Sequence, residues 1–265
     1  MRVASALVVS LMTAIGIGLL GTWRSPALPL TGAMVAMTPM VLFLGGVVNP
    51  NGLENATVFT AFIGVLTVVL EQARGRWLSF IAVIVAIVSA IGVNIRGLSA
   101  LWFAIALLTP FVLVRRERLR ELVRCRAVQL AAASIVVAVA VAFGWLALSN
   151  SLGAGLDTPP PGTPGIGESP VNGFIWTLMA TFEYDQGLVG VFGWLDTPSP
   201  PGTLAIWAAL IGTLLVFAGV LLTRRRLLFV LTLATLMLFV PPILQAVYIT
   251  RGGVIWQGRY ALPLF

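Results

Sequence analysis

"RRERLRELVRCRAVQLAAASIVVAVAVAFGWLALS", residues 115–149, decides the architecture of this chain. Six arginines fall within residues 115–126, and no charge follows between 127 and 149. A helix that crosses a bilayer needs about 20 largely apolar residues, so 127–149 reads as a membrane span. Short cytoplasmic loops carry the excess of basic residues, so 115–126 reads as its cytoplasmic flank.

Working outward, seven further segments meet the same length and polarity test: 3–20, 27–48, 55–71, 78–95, 97–114, 203–223 and 227–249. The expected fold is therefore all-α, a polytopic transmembrane helix bundle of about eight spans, with residues 1–265 as a single membrane domain. Segment 55–71 is short, and only Arg96 separates 78–95 from 97–114, which predicts a tight hairpin.

Composition narrows the chemistry. The chain is 59% hydrophobic and 9% charged, with a mean hydropathy of +1.02, against about 25% charged residues in soluble domains. All 16 basic residues are arginine, and histidine is absent. That excludes a Ser-His-Asp triad, a histidine metal site, a Schiff-base lysine and a histidine proton relay. A net charge of +7 would point to nucleic acid in a soluble protein. Here the arginines punctuate apolar runs, so they read as topology signals, with membrane lipids as the surroundings and no nucleic-acid partner. The lone Cys125 provides neither an internal disulfide nor a cysteine-rich metal site.

Arg224–Arg226 form a second basic cluster, and alternation from the two clusters places 12 of the 16 arginines on the cytoplasmic side. Arg2, Arg96, Arg251 and Arg259 are left outside, together with Glu54, Asp157, Glu168, Glu183, Asp185 and Asp196. The assignment puts the N-terminus outside, which leads us to expect a further helix upstream. "ALPLF" at 261–265 reads as the first turn of a ninth span, so the chain is expected to be truncated at both ends.

Three polar stretches then share the outer face. In "VVNPNGLENATVF" (47–59), Asn51 and Glu54 have the spacing of a helix-capping box. Asn49, Asn51 and Glu54 would also lie at the positive end of a helix, where oriented amides can hold an anionic group. The long stretch 150–202 divides into a Pro/Gly/Ser-rich loop and an aromatic, acidic segment. That segment carries Phe174, Trp176, Phe182, Tyr184, Phe192 and Trp194 beside Glu183, Asp185 and Asp196. Such aromatics favour the membrane–water interface, so an interfacial or re-entrant helix is expected. The third stretch is "IWQGRYALPLF" (255–265). An outer arginine opposes the positive-inside bias, and Arg259 directly before an apolar run also meets an unfavourable helix dipole. A bound phosphate would suit its planar fork; snorkelling to the headgroups is the alternative. The middles of the spans lack Asp, Glu and Arg, which suits surface chemistry better than ion-coupled transport.

"TPMVLFLGGVVNPNGLENA" (38–56), "GVFGWLDTPSP" (190–200) and "QGRYALPL" (257–264) together resemble successive signatures of a bacterial membrane family named domain of unknown function 2142. Asn49, Pro50, Asn51 and Glu54 match its Asn-Pro motif. Gly193 and Asp196 match its Phe-Gly motif, and Gly258, Arg259 and Tyr260 its Gly-Arg-Tyr motif. The family is similar in layout to C-type glycosyltransferases, polytopic enzymes that use polyprenyl-phosphate-linked sugars. The resemblance implies a transferase at the outer face of the bacterial plasma membrane, acting on cell-envelope glycan or lipid, with a polyprenyl-phosphate sugar as donor. It also leads one to expect an acidic, His-containing early external loop, which this chain lacks. Such a loop would lie upstream, or the chain lacks its catalytic acid.

Within the chain, Glu54, Glu183 and Asp185 are the candidate general bases. Asn49, Asn51, Asp196, Gln257, Arg259 and Tyr260 are the candidate substrate-binding residues. No metal site is assigned, and the residues do not specify any divalent metal dependence or protein partner. The other reading is a lipid or polysaccharide translocator, or an accessory subunit of an export complex, without enzymatic activity. It calls for a continuous polar path between helices, whereas the enzyme calls for an outward-facing cavity.

Overall fold

The structure is a computed structural model that describes residues 1–149, 162–193 and 196–265. Asp157 and Trp194, named above in the outer stretch, lie outside the described residues. Among the described residues the chain is nearly all helix, with one two-residue β-hairpin.

Among the described residues, six helices are long and apolar enough to cross a membrane. They are α1 (Arg2–Gly21), α4 (Pro50–Leu70), α5 (Gly75–Gly92), α8 (Arg126–Ser149), α11 (Pro201–Leu221) and α12 (Arg224–Gly252). The expected span 27–48 is broken. It consists of α2 (Ala27–Ala36) and α3 (Pro39–Gly46), which meet at 67°. Pro39 cannot donate to the preceding turn, and the Thr38 side chain caps α3 by accepting from the Val41 amide at 3.3 Å. The expected span 97–114 is shorter than the six. Its α6 (Ser99–Leu108) tightens at Pro110 into a 3-10 turn, Thr109–Leu113.

The arginine-rich loop contains α7 (Arg116–Arg124), which buries Leu122 and leaves most of its arginines in solvent. The aromatic, acidic stretch forms two short helices, α9 (Pro170–Met179) and α10 (Thr181–Val189). A hairpin follows, β1 (Val191–Phe192) against β2 (Thr197–Pro198), with Val191 opposite Pro198. Residues 261–264, in the stretch expected to open a ninth span, lie in a 3-10 turn, Gly258–Leu264, that buries Ala261 and Leu262 in the core.

The core sits around α4. Although 55–71 read as a short segment, Pro50 and the following residues extend it to 21, and it is the most buried of the six long helices. Small side chains explain the close packing, since apolar burial cannot drive helices together within lipid. On one flank Thr60 donates to the Met12 carbonyl at 2.6 Å, and Trp23 Nε1 donates to Thr67 Oγ1 at 2.8 Å, holding α1 to α4.

Loop contacts separate the two ends of the bundle. At one end Arg24 meets Glu71 at 3.9 Å, Arg118 meets Glu121 at 2.8 Å, and Arg118 donates to the Ala73 carbonyl at 2.5 Å. Residues 47–54, 94–99, 190–193, 196–199 and 253–265 gather at the other. This grouping is the one that alternation along the arginine pattern requires.

Candidate functional site

The three motifs, far apart in the chain, converge on one polar cluster. Asn49 begins α4, accepting from the Asn51 amide at 2.9 Å. The cap is thus Asn49 rather than Asn51, and the expected capping box does not form. This frees Asn51 and Glu54, one turn into the helix, to face inward.

Glu54 is 1% exposed. Ser99 donates to its Oε1 at 2.5 Å, and Arg96 Nη1 lies 3.5 Å from Oε2. The same Arg96 donates to Asn51 Oδ1. Its guanidinium carbon lies 4.7 Å from the centre of the Tyr260 ring, a cation–π distance. Trp256 packs edge-on to Tyr260 at 5.9 Å. Arg259 approaches the same ring, its guanidinium carbon 5.9 Å from the centroid, and donates to the Gly193 carbonyl at 3.0 Å.

Arg259 is 9% exposed, its Nε has no hydrogen-bond partner, and no carboxylate pairs with it among the described residues. Gln257 Oε1 and Ser199 Oγ are likewise buried without a partner. A buried donor left unpaired costs about 1–3 kcal/mol. The cluster therefore holds two guanidinium groups against one carboxylate, with Arg259 Nε an unused donor, which is the electrostatic character of an anion site.

Backbone shape makes this convergence possible. A Cβ on Gly258 would lie 1.8 Å from the Tyr184 carbonyl oxygen, so only glycine lets the terminal turn lie against α10. Gly193 has φ +64° and presents its carbonyl to Arg259 from that conformation. Thr38 donates to the Leu188 carbonyl at 2.7 Å, and Phe43 meets Phe192 at 5.1 Å, joining the first motif to the second. Buried Gln245 on α12 shapes the return into the third. Its Nε2 donates to the Gly253 carbonyl at 2.7 Å, and its Oε1 accepts from Ile255 and Trp256 at 3.1 and 2.9 Å.

Of the remaining candidates, Glu183 and Asp196 take no part in the cluster, and Asp185 borders it. Glu183 is exposed. Asp196 accepts from Thr197 Oγ1 at 3.2 Å in the hairpin. Asp185 is exposed at the rim of a small crevice of about 20 Å³ shared with Thr177, Tyr184, Trp256 and Gly258. The protein on one side strips part of its hydration, which pushes its carboxyl above the usual range.

Arg96, Ser99, Asn55 and Gln245 were not among the sequence candidates. Arg96 had a readable signal: an outer-side arginine opposing the charge bias, on the same side as Glu54. Ser99, Asn55 and Gln245 carried none, because one polar residue in an apolar run reads alike wherever it points. Among the described residues, no group of three His, Cys, Asp or Glu side chains is placed to hold a metal ion.

A larger cavity, of about 810 Å³, runs beside α4 from Gly52 and Asn55 to Glu71, with Arg24 and Arg226 at the Glu71 end. Between those ends its walls are mostly apolar, including Phe59, Phe62 and Leu66.

No curated protein and no solved structure matches the chain. A family model does, over residues 1–265, under the description "Predicted membrane protein (DUF2142)". With apolar helices enough to cross a membrane several times, and the three motifs joined in one cluster, the chain belongs to that family of multi-pass membrane proteins.

Proposed function

We propose that the cluster around Arg259 is the phosphate-binding part of a glycosyltransferase-like site at the outer face of a bacterial plasma membrane. The donor would be a polyprenyl-phosphate-linked sugar, and the acceptor a hydroxyl of cell-envelope glycan or lipid. One observation carries the reading: the half-buried Arg96 and the buried Arg259 share the Tyr260 ring, Glu54 is the one carboxylate that pairs with either among the described residues, and Arg259 Nε lacks a partner.

In the reaction, an acceptor oxygen bonds to the anomeric carbon while the bond from that carbon to the phosphate oxygen breaks. Polyprenyl phosphate leaves with the electron pair. Arg259, with Arg96 behind it, stabilises the charge that develops on the leaving group. Asp185 takes the acceptor proton; its raised pKa brings it nearer the working pH of a general base. Glu54 is saturated by Ser99 and Arg96, so it orients Arg96 instead of receiving a proton.

The translocator reading calls for a polar path between helices. The mostly apolar walls of the large cavity favour the transferase over passage of a polysaccharide. The test uses full-length protein in vesicles supplied with a polyprenyl-phosphate sugar and an acceptor glycan. Arg259→Ala is expected to lower turnover and donor affinity together, and unchanged values for both would overturn the phosphate role.

A further inference from the structure

We infer that the cavity beside α4 holds the chain of a single long lipid of the polyprenyl class, with its polar head at the Asn55 end. This rests on the proposed function for the identity of the head and on separate observations for the chain.

The first observation is Asn55. It is 7% exposed and lines the cavity, yet neither its Oδ1 nor its Nδ2 has a hydrogen-bond partner. An apolar occupant would leave both atoms unpaired, at about 1–3 kcal/mol each. An amide with donor and acceptor both free suits a group that also offers both, such as a sugar hydroxyl or a protonated phosphate oxygen.

Both ends of the cavity are positive, with Arg24 and Arg226 against Glu71 at the far one, so the unpaired Asn55 amide decides the polarity and charge permits it. Asn55 lies four residues after Asn51 on α4, so the two share a helix face about 6 Å apart along the axis. Asn51 accepts from Arg96, and Leu262 to Phe265 at the same end of the cavity continue directly from Arg259 and Tyr260. The excess positive charge of the cluster thus stands over the end where a phosphate head would rest.

Length selects the chain. The α4 residues on the wall run from Gly52 to Glu71, which at the helical rise spans roughly 28 Å. That is nearly the full hydrocarbon thickness of about 30 Å. An acyl chain of an ordinary lipid reaches about half of it, whereas a long polyprenyl chain can follow the whole cavity.

Gly32 on α2 provides a plug, because a Cβ added there meets no heavy atom within 4 Å and yet the residue lines the cavity. Full-length protein in phosphatidylcholine nanodiscs is titrated with a long polyprenyl phosphate and with farnesyl phosphate. The unmodified protein is expected to prefer the long chain, and Gly32→Trp to abolish that preference while still binding farnesyl phosphate. Should Gly32→Trp fail to accumulate, Gly32→Leu is expected to reduce the preference. Asn55→Leu is expected to weaken both probes by about fivefold, the loss of one hydrogen bond.

Equal affinity for both probes in the unmodified protein, or an undiminished preference in the plugged variant, would overturn the inference. So would recovery of a diacyl phospholipid from the cavity by native mass spectrometry. Arg259→Ala separates the two proposals. If it leaves phosphate binding intact while the chain preference persists, the phosphate role of Arg259 fails and the cavity assignment stands. If it abolishes binding of both probes while the unmodified protein shows no chain preference, the reverse holds.

Discussion

Removing the Arg96 side chain should harm this protein more than removing Arg96 and the charge of Glu54 together. Glu54 is 1% exposed, and Arg96, its only ion-pair partner among the described residues, has a side chain 25% exposed. Breaking a buried pair by deleting one member costs about 3–5 kcal/mol, mostly the penalty of leaving the other charge unpaired. The partial exposure of Arg96 moves the expectation for Arg96→Met to the lower end, about 3 kcal/mol. Arg96→Met also strips Asn51 and the Tyr260 face of their cation. Glu54→Gln keeps the shape and an acceptor for Ser99, so about 1–2 kcal/mol is expected. The double variant removes both charges and should cost no more than about 2 kcal/mol, giving a coupling of about 2–3 kcal/mol between neighbouring sites. The assay is reversible unfolding of the purified protein in mixed micelles of mild and denaturing detergent, followed by tryptophan fluorescence. Losses that simply add, with the double variant worse than Arg96→Met, would refute the view that an unpaired Glu54 dominates.

Three further outcomes are expected. Gly258→Ala drives a methyl group into the Tyr184 carbonyl, so the terminal turn must detach from α10. A loss of about 3 kcal/mol is expected, at the upper end for overpacking, and an unchanged melting temperature would contradict it. Turnover should depend on ionised Asp185, so activity is present above its pKa and lost as pH falls through it. Because burial raises that pKa, the loss sets in at higher pH than for an ordinary carboxylate, and Asp185→Asn should remove this limb of the pH–rate profile. Thr67→Val removes the acceptor of the Trp23 indole and should cost about 1 kcal/mol while altering Trp23 emission.

Much of the helical bundle was legible in the residues. Continuous apolar runs bounded by arginines marked six of the long helices, and the alternation of charge sorted the loops into the two groups that meet at the two ends. The broken second span was not read, although its cause, Pro39 after Thr38, is local; hydropathy averages over a proline. The candidate site was half legible. Asn51, Glu54, Arg259 and Tyr260 were marked by being polar beside apolar runs, and the structure brings them into one cluster. Glu183 was marked by the same signal and points into solvent, while Asp185 lies in the crevice bordering the cluster.

What the sequence determined alone is membrane residence, the helical class and the grouping of loops, because each follows from hydrophobicity and charge summed over about 20 residues. Tertiary structure decided which polar atoms meet. Arg96 found Glu54 and Asn51 across 42 and 45 residues of chain, and Gly258 allowed the terminal turn to reach α10. The structure also left Arg259 Nε and the Asn55 amide without partners. A hydrogen bond is settled within a few tenths of an ångström and a few tens of degrees, a precision that only the packing of whole helices sets.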